Sequence, residues 1–283
     1  MRRLFALAIF ASLLFSSAPS RVSYAQNKAQ SNKLRFVVYG DTRDGHAIHK
    51  KLVALILKQK PDFVIQTGDL VTDANDPAQW KQYDAITGDM RKRVPVYPVR
   101  GNHDVGAGYL ARFTSPIGSG TRLHYSFDRG DCHFIGLDTC SEVSKGGEQY
   151  AWLEKDLESA SKRAKHIFAS FHVPPYGIGW HGSDLGVRKA LCPLFIKYGV
   201  SAVFNGHDHN YYRTLRDGVT YVTSGGGGAT PYPPNPNRGA VKGDKWALAF
   251  HIVVCDVDGD EVKLTALRVD DKVFDECTLD SSH

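Results

Sequence analysis

The chain has little of what would make it a cysteine-stapled or membrane-spanning protein. Its five cysteines, Cys132, Cys140, Cys192, Cys255 and Cys277, include no C-x-x-C pair. They are too sparse for a disulfide scaffold, and a thiolate zinc cage is not expected. Most of them read as small buried apolar side chains. Only Leu4–Phe15 is apolar enough to interest a membrane, and it falls short of the roughly 20 residues a spanning helix needs. Neither sign of charge dominates: the formal net charge of +5 falls to +2 once Arg2, Arg3 and Arg21 are set aside with residues 1–25, which hold no acid. That balance does not call for nucleic acid or anionic lipid, and no stable nucleic-acid complex is expected. Gly-x-Ser-x-Gly and His-Glu-x-x-His are both missing, which removes the commonest serine-hydrolase and zinc-protease readings. The run Gly225–Gly228 is followed by no Gly-Lys-Ser/Thr, so it is not a phosphate loop. Gly106-x-Gly108-x-x-Ala111 lacks the acidic partner of a dinucleotide site and is discounted.

What is present is globular, with 42% hydrophobic and 23% charged residues, which excludes a disordered or fibrous chain. Residues 1–25 join Arg2 and Arg3, the apolar Leu4–Phe15, the helix-breaking Pro19 and the small residues Ser23 and Ala25, and they read as a secretory signal peptide. A secreted or periplasmic protein with no membrane span after cleavage is expected. Residues 26–33 read as a polar leader and residues 34–283 as one α/β domain whose C-terminal strands are antiparallel.

Leu34–Tyr39, Asp62–Gln66 and Val94–Val99 read as strands, separated by helical spacing over His46–Lys60 and Pro77–Met90. This β-α-β-α-β order predicts parallel neighbours with helices outside them. Further strands are expected at Leu123–Phe127, Cys132–Asp138, His166–Phe171 and Val200–Phe204, with helices near Gln149–Ala160 and Val187–Tyr198. Tyr221–Thr223, Phe250–Asp256 and Val262–Val269 alternate like antiparallel strands, the last two joined by an Asp258-Gly259 turn. Gly225–Gly228 and Pro231–Pro236 read as one surface loop.

The chemistry shows in how the strands end. Gly40-Asp41, Gly68-Asp69 and Gly101-Asn102-His103-Asp104 follow the first three strands, His172 follows the strand ending at Phe171, and Gly206-His207-Asp208-His209 follows the strand ending at Phe204. In open α/β sheets the carboxyl ends of parallel strands form one rim where ligands bind, so these donors should converge. Any one of them alone is an ordinary turn former or surface residue. Together, Asp41, Asp69, Asn102, His172, His207 and His209 make an oxygen and nitrogen set suited to Zn, Mn or Fe. One ion needs about four donors; six suggest two divalent or trivalent ions roughly 3.5–4 Å apart that share a carboxylate.

On these blocks the chain resembles the calcineurin-like metallophosphoesterase superfamily, which includes the purple acid phosphatases; the branch is left open. The resemblance runs from about Leu34 to Tyr212. It implies an α/β/β/α sandwich of two mixed sheets flanked by helices, in place of the single sheet that the alternation suggests. It also implies Asp69 as the shared carboxylate, Asp41 and His209 on one ion, and Asn102, His172 and His207 on the other. A metal-bridging hydroxide would attack phosphorus, with His103 as general acid and Asp104 as its orienting partner. Arg43 and Asn102 are the candidate contacts to the substrate phosphate, and the substrate is a phosphorylated small molecule or nucleotide.

The first motif departs from the family's Asp-x-His, because Asp41 is followed by Thr42 and Arg43. A cation cannot ligate a cation. The Tyr that purple acid phosphatases place three residues after the shared Asp is Thr72 here. Arg43 is expected near the phosphate as a bidentate clamp, and His46 is a weaker candidate for the missing donor. The aromatic loop from Tyr176 to Asp184, with Trp180 and His181, is expected to shape the pocket. The competing expectation is a degenerate metal- or phosphate-binding module that does not turn over.

Overall fold

Pleating divides the first strand between two layers. In β1 (Lys33–Tyr39), Phe36 and Val38 face one buried cluster while Val37 and Tyr39 face another, as alternate side chains of a strand must. The computed structural model describes residues 33–113 and 118–279; the signal peptide at residues 1–25 and residues 26–32 of the leader lie outside the described residues.

After β1 come α1 (His46–Gln59), β2 (Phe63–Gln66), α2 (Pro77–Arg93) and β3 (Val96–Pro98). A 3-10 turn at Asn102–Asp104 and the short α3 (Ala107–Arg112) lead to β4 (Ser119–Gly120), β5 (Tyr125–Arg129), β6 (Cys132–Gly136), α4 (Glu148–Ala160), β7 (His166–Ser170), α5 (Leu185–Lys197) and β8 (Ala202–Asn205). The chain then runs through β9 (Tyr211–Arg216), β10 (Val219–Ser224), β11 (Lys245–Ala247), β12 (His251–Asp258), β13 (Glu261–Arg268) and β14 (Val273–Leu279). One sheet has the order β14-β13-β12-β1-β2-β3 and the other β11-β9-β10-β8-β7-β6-β5-β4.

Phe36, Phe63 and Ile65 of the first sheet meet Phe134, Phe168 and Phe204 of the second in one apolar layer. Phe36 stacks on Phe63 with ring centroids 5.3 Å apart and meets Phe134 edge-on at 5.2 Å. On the outer face of the first sheet, Val37 and Val64 are covered by Leu52 and Ile56 of α1 and Met90 of α2. Leu153 and Leu157 of α4, with Leu191 and Phe195 of α5, cover Ile167 and Val203 of the second sheet. The result is the α/β/β/α sandwich of two mixed sheets. Asp76 and Asp184 cap α2 and α5 by accepting from the amides of Ala78 and Val187. The five cysteines are free thiols, three of them buried. No helix among the described residues is long and apolar enough to cross a membrane.

β1, β2 and β3 run parallel to one another, as the alternation predicts. In the second half the sequence reading is incomplete. Tyr221–Thr223 lies in β10, which pairs antiparallel with β9 but parallel with β8. The reading misses β9, which follows directly on the histidine block. It also misses β14, whose alternation is blurred because Leu279 is the one buried residue of this edge strand.

Candidate metal centre

The donors sit where two sheets end together. Asp41, Asp69 and the Asn102 turn follow β1, β2 and β3 of the first sheet, while His172 and the His207–His209 segment follow β7 and β8 of the second. Reaching one point from both sheets forces tight turns. Asp41, Asp69 and His207 have φ of 58°, 52° and 70°, left-handed values that cost a non-glycine residue of order 1–3 kcal/mol each. Two of the motif glycines are required by close approach. A Cβ on Gly101 would lie 2.2 Å from Asp69 Oδ1, and one on Gly206 would lie 2.5 Å from Asp41 Oδ2.

Asp41, Asp69 and His209 are buried, and one donor atom from each lies within 4.8 Å of the other two. His209 Nδ1 faces the Thr230 carbonyl at 2.8 Å, so that nitrogen carries its proton and the Nε2 lone pair is turned to Asp41 Oδ1, 3.6 Å away. The buried His172 is set the same way: Nδ1 meets the Thr67 carbonyl at 2.8 Å, and Nε2 lies 3.0 Å from Asn102 Oδ1 and 3.3 Å from Asp69 Oδ1. His207 Nδ1 stands 3.2 Å from the same His172 Nε2, and its amide donates to both oxygens of Asp41 at 3.1 Å. The six predicted residues adjoin one another, and Asp41, Asp69 and His209 are the group among the described residues whose donor atoms all lie within 4.8 Å.

Electrostatics sharpen the picture. Burial would lower the His172 imidazole, but the charges of Asp69 and Asp41 and its hydrogen bond to Asp69 push it up to about 10. Burial works to raise Asp69, yet the His172 charge, its hydrogen bond and the His103 amide hold this carboxyl well below the usual range. Burial and the charge of His172 push His207 down to about 3. Asp41, with burial as the main cause, is raised. The position between Asp69, Asn102 and His172 thus calls for one positive charge, a proton or a cation. A donor set of carboxylate, amide oxygen and imidazole with carbonyl-fixed tautomers fits a transition metal.

Arg43 turns toward the centre. Its Nε stands 3.5 Å from Asp69 Oδ2, with no hydrogen bond, while Nη1 bonds to Asp44 at 2.9 Å. It shares a cavity of about 380 Å³ with Asp69, Asn102, His103, His207 and His209. The weaker candidate His46 lines a neighbouring cavity instead, and no metal-sized group among the described residues includes it. Thr72 Oγ1 points to Asp44 at 2.5 Å and supplies no substitute donor.

His103 lines the centre's cavity, with Nδ1 held by the Thr72 carbonyl at 2.8 Å. Asp104 does not orient it. The Asp104 carboxylate is fully buried and accepts from the amides of Gly101 and Leu70, both at 2.9 Å, so it braces the turn that carries Asn102 and His103. Burial and the Asp69 charge push it up to about 7.

Two side chains at the centre escaped the sequence reading. Tyr232, from the loop read as a surface excursion, stacks on His209 with centroids 4.2 Å apart and places its Oη 3.1 Å from Nε2. Asp208 looks like filler between two histidines, yet its carboxylate accepts from the amides of Gly179, His181 and Gly182. A carboxylate inside a block of donors was the available signal for Asp208; nothing local marks Tyr232.

Oxygen and nitrogen donors at the shared strand-end rim of an α/β/β/α sandwich define a metallophosphoesterase fold. Residues 34–211 match the calcineurin-like phosphoesterase family, and the chain belongs to it. It is 30% identical over 177 residues to purple acid phosphatase 15 of Arabidopsis thaliana, covering 53% of this chain and 32% of that protein. The chain thus spans about a third of the length of that plant relative. Tartrate-resistant acid phosphatase type 5 of Homo sapiens is 29% identical over 241 residues, covering 69% of this chain and 73% of that protein. Purple acid phosphatase PPD1 from yellow lupin (Lupinus luteus) seeds shares the fold, with a TM-score of 0.77 at 23% identity over 88% of this chain and 54% of that one.

Proposed function

We propose that residues 34–283 act as one unit, an exported metal-dependent hydrolase of phosphoric esters. The observation that carries this reading is the meeting of Asp41, Asp69 and His209 donor atoms within 4.8 Å, with His172 Nε2 a further 3.3 Å from Asp69. Asp69 lies between two half-sites, one with Asp41 and His209 and the other with Asn102, His172 and His207. Two Zn, Mn or Fe ions, when bound, lower the pKa of a bound water toward neutrality and offset charge on the phosphoryl oxygens. The chain's own residues do the rest. Arg43 and Asn102 bind and orient the phosphate, and His103, its Nδ1 proton held by Thr72, keeps Nε2 for the proton that goes to the leaving oxygen.

A second reading is favoured by one feature, the Arg43 guanidinium beside Asp69 where the family places a histidine donor. In that reading the chain binds one ion, or a phosphorylated partner, without turnover. Metal analysis and assay separate the two. The hydrolase reading expects about two ions per chain and cleavage of a chromogenic phosphate ester after loading with Mn or Zn. One ion, with no cleavage of mono-, diester or anhydride substrates, supports the binding module, and Arg43→His should then raise the metal count. Export is tested by expressing the full chain: the mature N-terminus should begin at Gln26.

A further inference from the structure

The loop from Ile178 to Gly182 is anchored through three of its amides and three of its carbonyls, yet it presents an indole that touches nothing comparable. Asp208 accepts from the amides of Gly179 and His181, both at 2.9 Å, and of Gly182 at 3.2 Å. Arg238 Nη1 donates to the carbonyls of Gly179 and Trp180, each at 2.6 Å, and the Asn235 amide donates to that of Ile178 at 2.6 Å. The loop passes so close to Asp208 that a Cβ on Gly179 would lie 2.4 Å from the Asp208 carboxyl carbon.

On this clamped backbone Trp180 is 73% exposed, while Trp80 is buried and donates to the Ala74 carbonyl. Trp152 has both a ring contact with His124 and a hydrogen bond to Ser119. The Trp180 indole has neither a ring contact nor a hydrogen bond among the described residues. Its neighbour His181 is engaged, lying over His207 with centroids 3.9 Å apart. Trp180 is therefore the free aromatic face of the wall, and it lines the cavity that holds Asp69, Asn102, His103 and His209. A tryptophan left in water forgoes the burial that normally stabilises it. A rigid backbone also lets it bind a flat partner without ordering a loop.

We propose that Trp180 is a stacking platform for the leaving group, so that the site selects phosphate esters whose departing alcohol carries a planar ring, as an aryl or nucleoside ester does. This rests on the phosphoester reading of the metal centre. Trp180 touches the part of the substrate that leaves, and it determines specificity without taking part in proton or phosphoryl transfer.

The test uses the full metal-loaded protein and three esters: 4-nitrophenyl phosphate, adenosine 5′-monophosphate and glycerol 1-phosphate. Trp180→Ala should lower kcat/KM by about 10-fold on the two ring-bearing esters, mainly through KM, and by less than about 2-fold on glycerol phosphate. Loss on one ring-bearing ester alone tells whether the aryl or the nucleoside ring is the source. Equal loss on all three overturns the proposal, because a merely structural role would weaken every substrate alike. A second readout does not need turnover. Adenosine 5′-monophosphate should quench tryptophan emission of the wild type, and Trp180→Phe, with the other three tryptophans kept, should abolish the quench. Persistence of the quench in Trp180→Phe overturns the platform. If wild type cleaves none of the esters, the hydrolase reading fails while the quench still decides the role of Trp180.

Discussion

Among the described residues, two clusters built around buried histidines and carboxylates are satisfied in opposite ways. His133 on β6 meets Asp128 through Nδ1 at 2.7 Å and Asp156 through Nε2 at 2.8 Å. Arg163 closes on Asp128 at 2.6 Å, and Ser126 Oγ donates to Asp156 at 2.8 Å. Every charge there has its counterpart inside the protein. At the strand-end rim, imidazole nitrogens of His172 and His207 face each other at 3.2 Å, Arg43 Nε has no acceptor, and three of the residues hold left-handed backbone. An imidazole between carboxylates braces a fold. Imidazoles turned on one another, on strained backbone, mark a place made for something from outside.

The contrast can be broken first at Asp69, which both proposed half-sites share. Asp69→Asn should remove bound metal and cut ester hydrolysis by more than about 10⁴-fold, beyond what one general acid contributes, as read by metal analysis and assay. Next comes His103→Ala, expected to lower kcat by roughly 10²–10⁴-fold with metal content intact. Loss of metal in that variant would instead make His103 part of the ion's support.

Chelation should leave the His133 cluster alone and loosen only the rim. Metal held at about 100 times its Kd stabilises the fold by about 2.7 kcal/mol, so its removal should lower Tm by several degrees in calorimetry. The smallest effect belongs to His133→Gln, which leaves the mostly buried Asp156 with a weaker partner and should cost about 1–2 kcal/mol.

That cost should depend on pH. Burial acts to lower His133, but hydrogen bonds to Asp156 and Asp128 and their charges raise it above its ordinary value. A raised folded pKa means that the stabilisation is fully present below the unfolded value of about 6.5 and is lost as pH rises through the folded one. Burial tends to raise Asp128, while hydrogen bonds from Arg163 and His133 hold it low. Its contribution is present above about 3.9 and is lost as pH falls through its depressed folded value. The difference in denaturation midpoint between wild type and His133→Gln should therefore be widest between about pH 4 and 6.5. A difference that does not change with pH would show that His133 is not the charged centre of its cluster.

Much of the fold's first half was legible, because Val37, Val38 and their neighbours form short apolar runs punctuated by glycine, and those are local signals. β14 was not, since an edge strand carrying Asp275 and Glu276 does not alternate cleanly between core and solvent. The candidate donors were legible for a related reason: Gly-Asp and Gly-His-x-His after strands are patterns within a few residues. Asp104 was misread because sequence adjacency to His103 says nothing of direction; its carboxylate turns back to the amides of Leu70 and Gly101.

The sequence by itself determined which candidate donors stand at the strand ends and that those after β1, β2 and β3 lie along one edge, since strand, turn and ligand are neighbours along the chain and parallel strands of one sheet end alike. Only the tertiary structure decided that Arg43 faces Asp69, that Tyr232 lies over His209, and that Asp208 and Arg238 hold Trp180 out at the mouth. Each of these depends on where a loop from one part of the chain comes to rest against another, and such contacts are set by the packing of the whole sandwich.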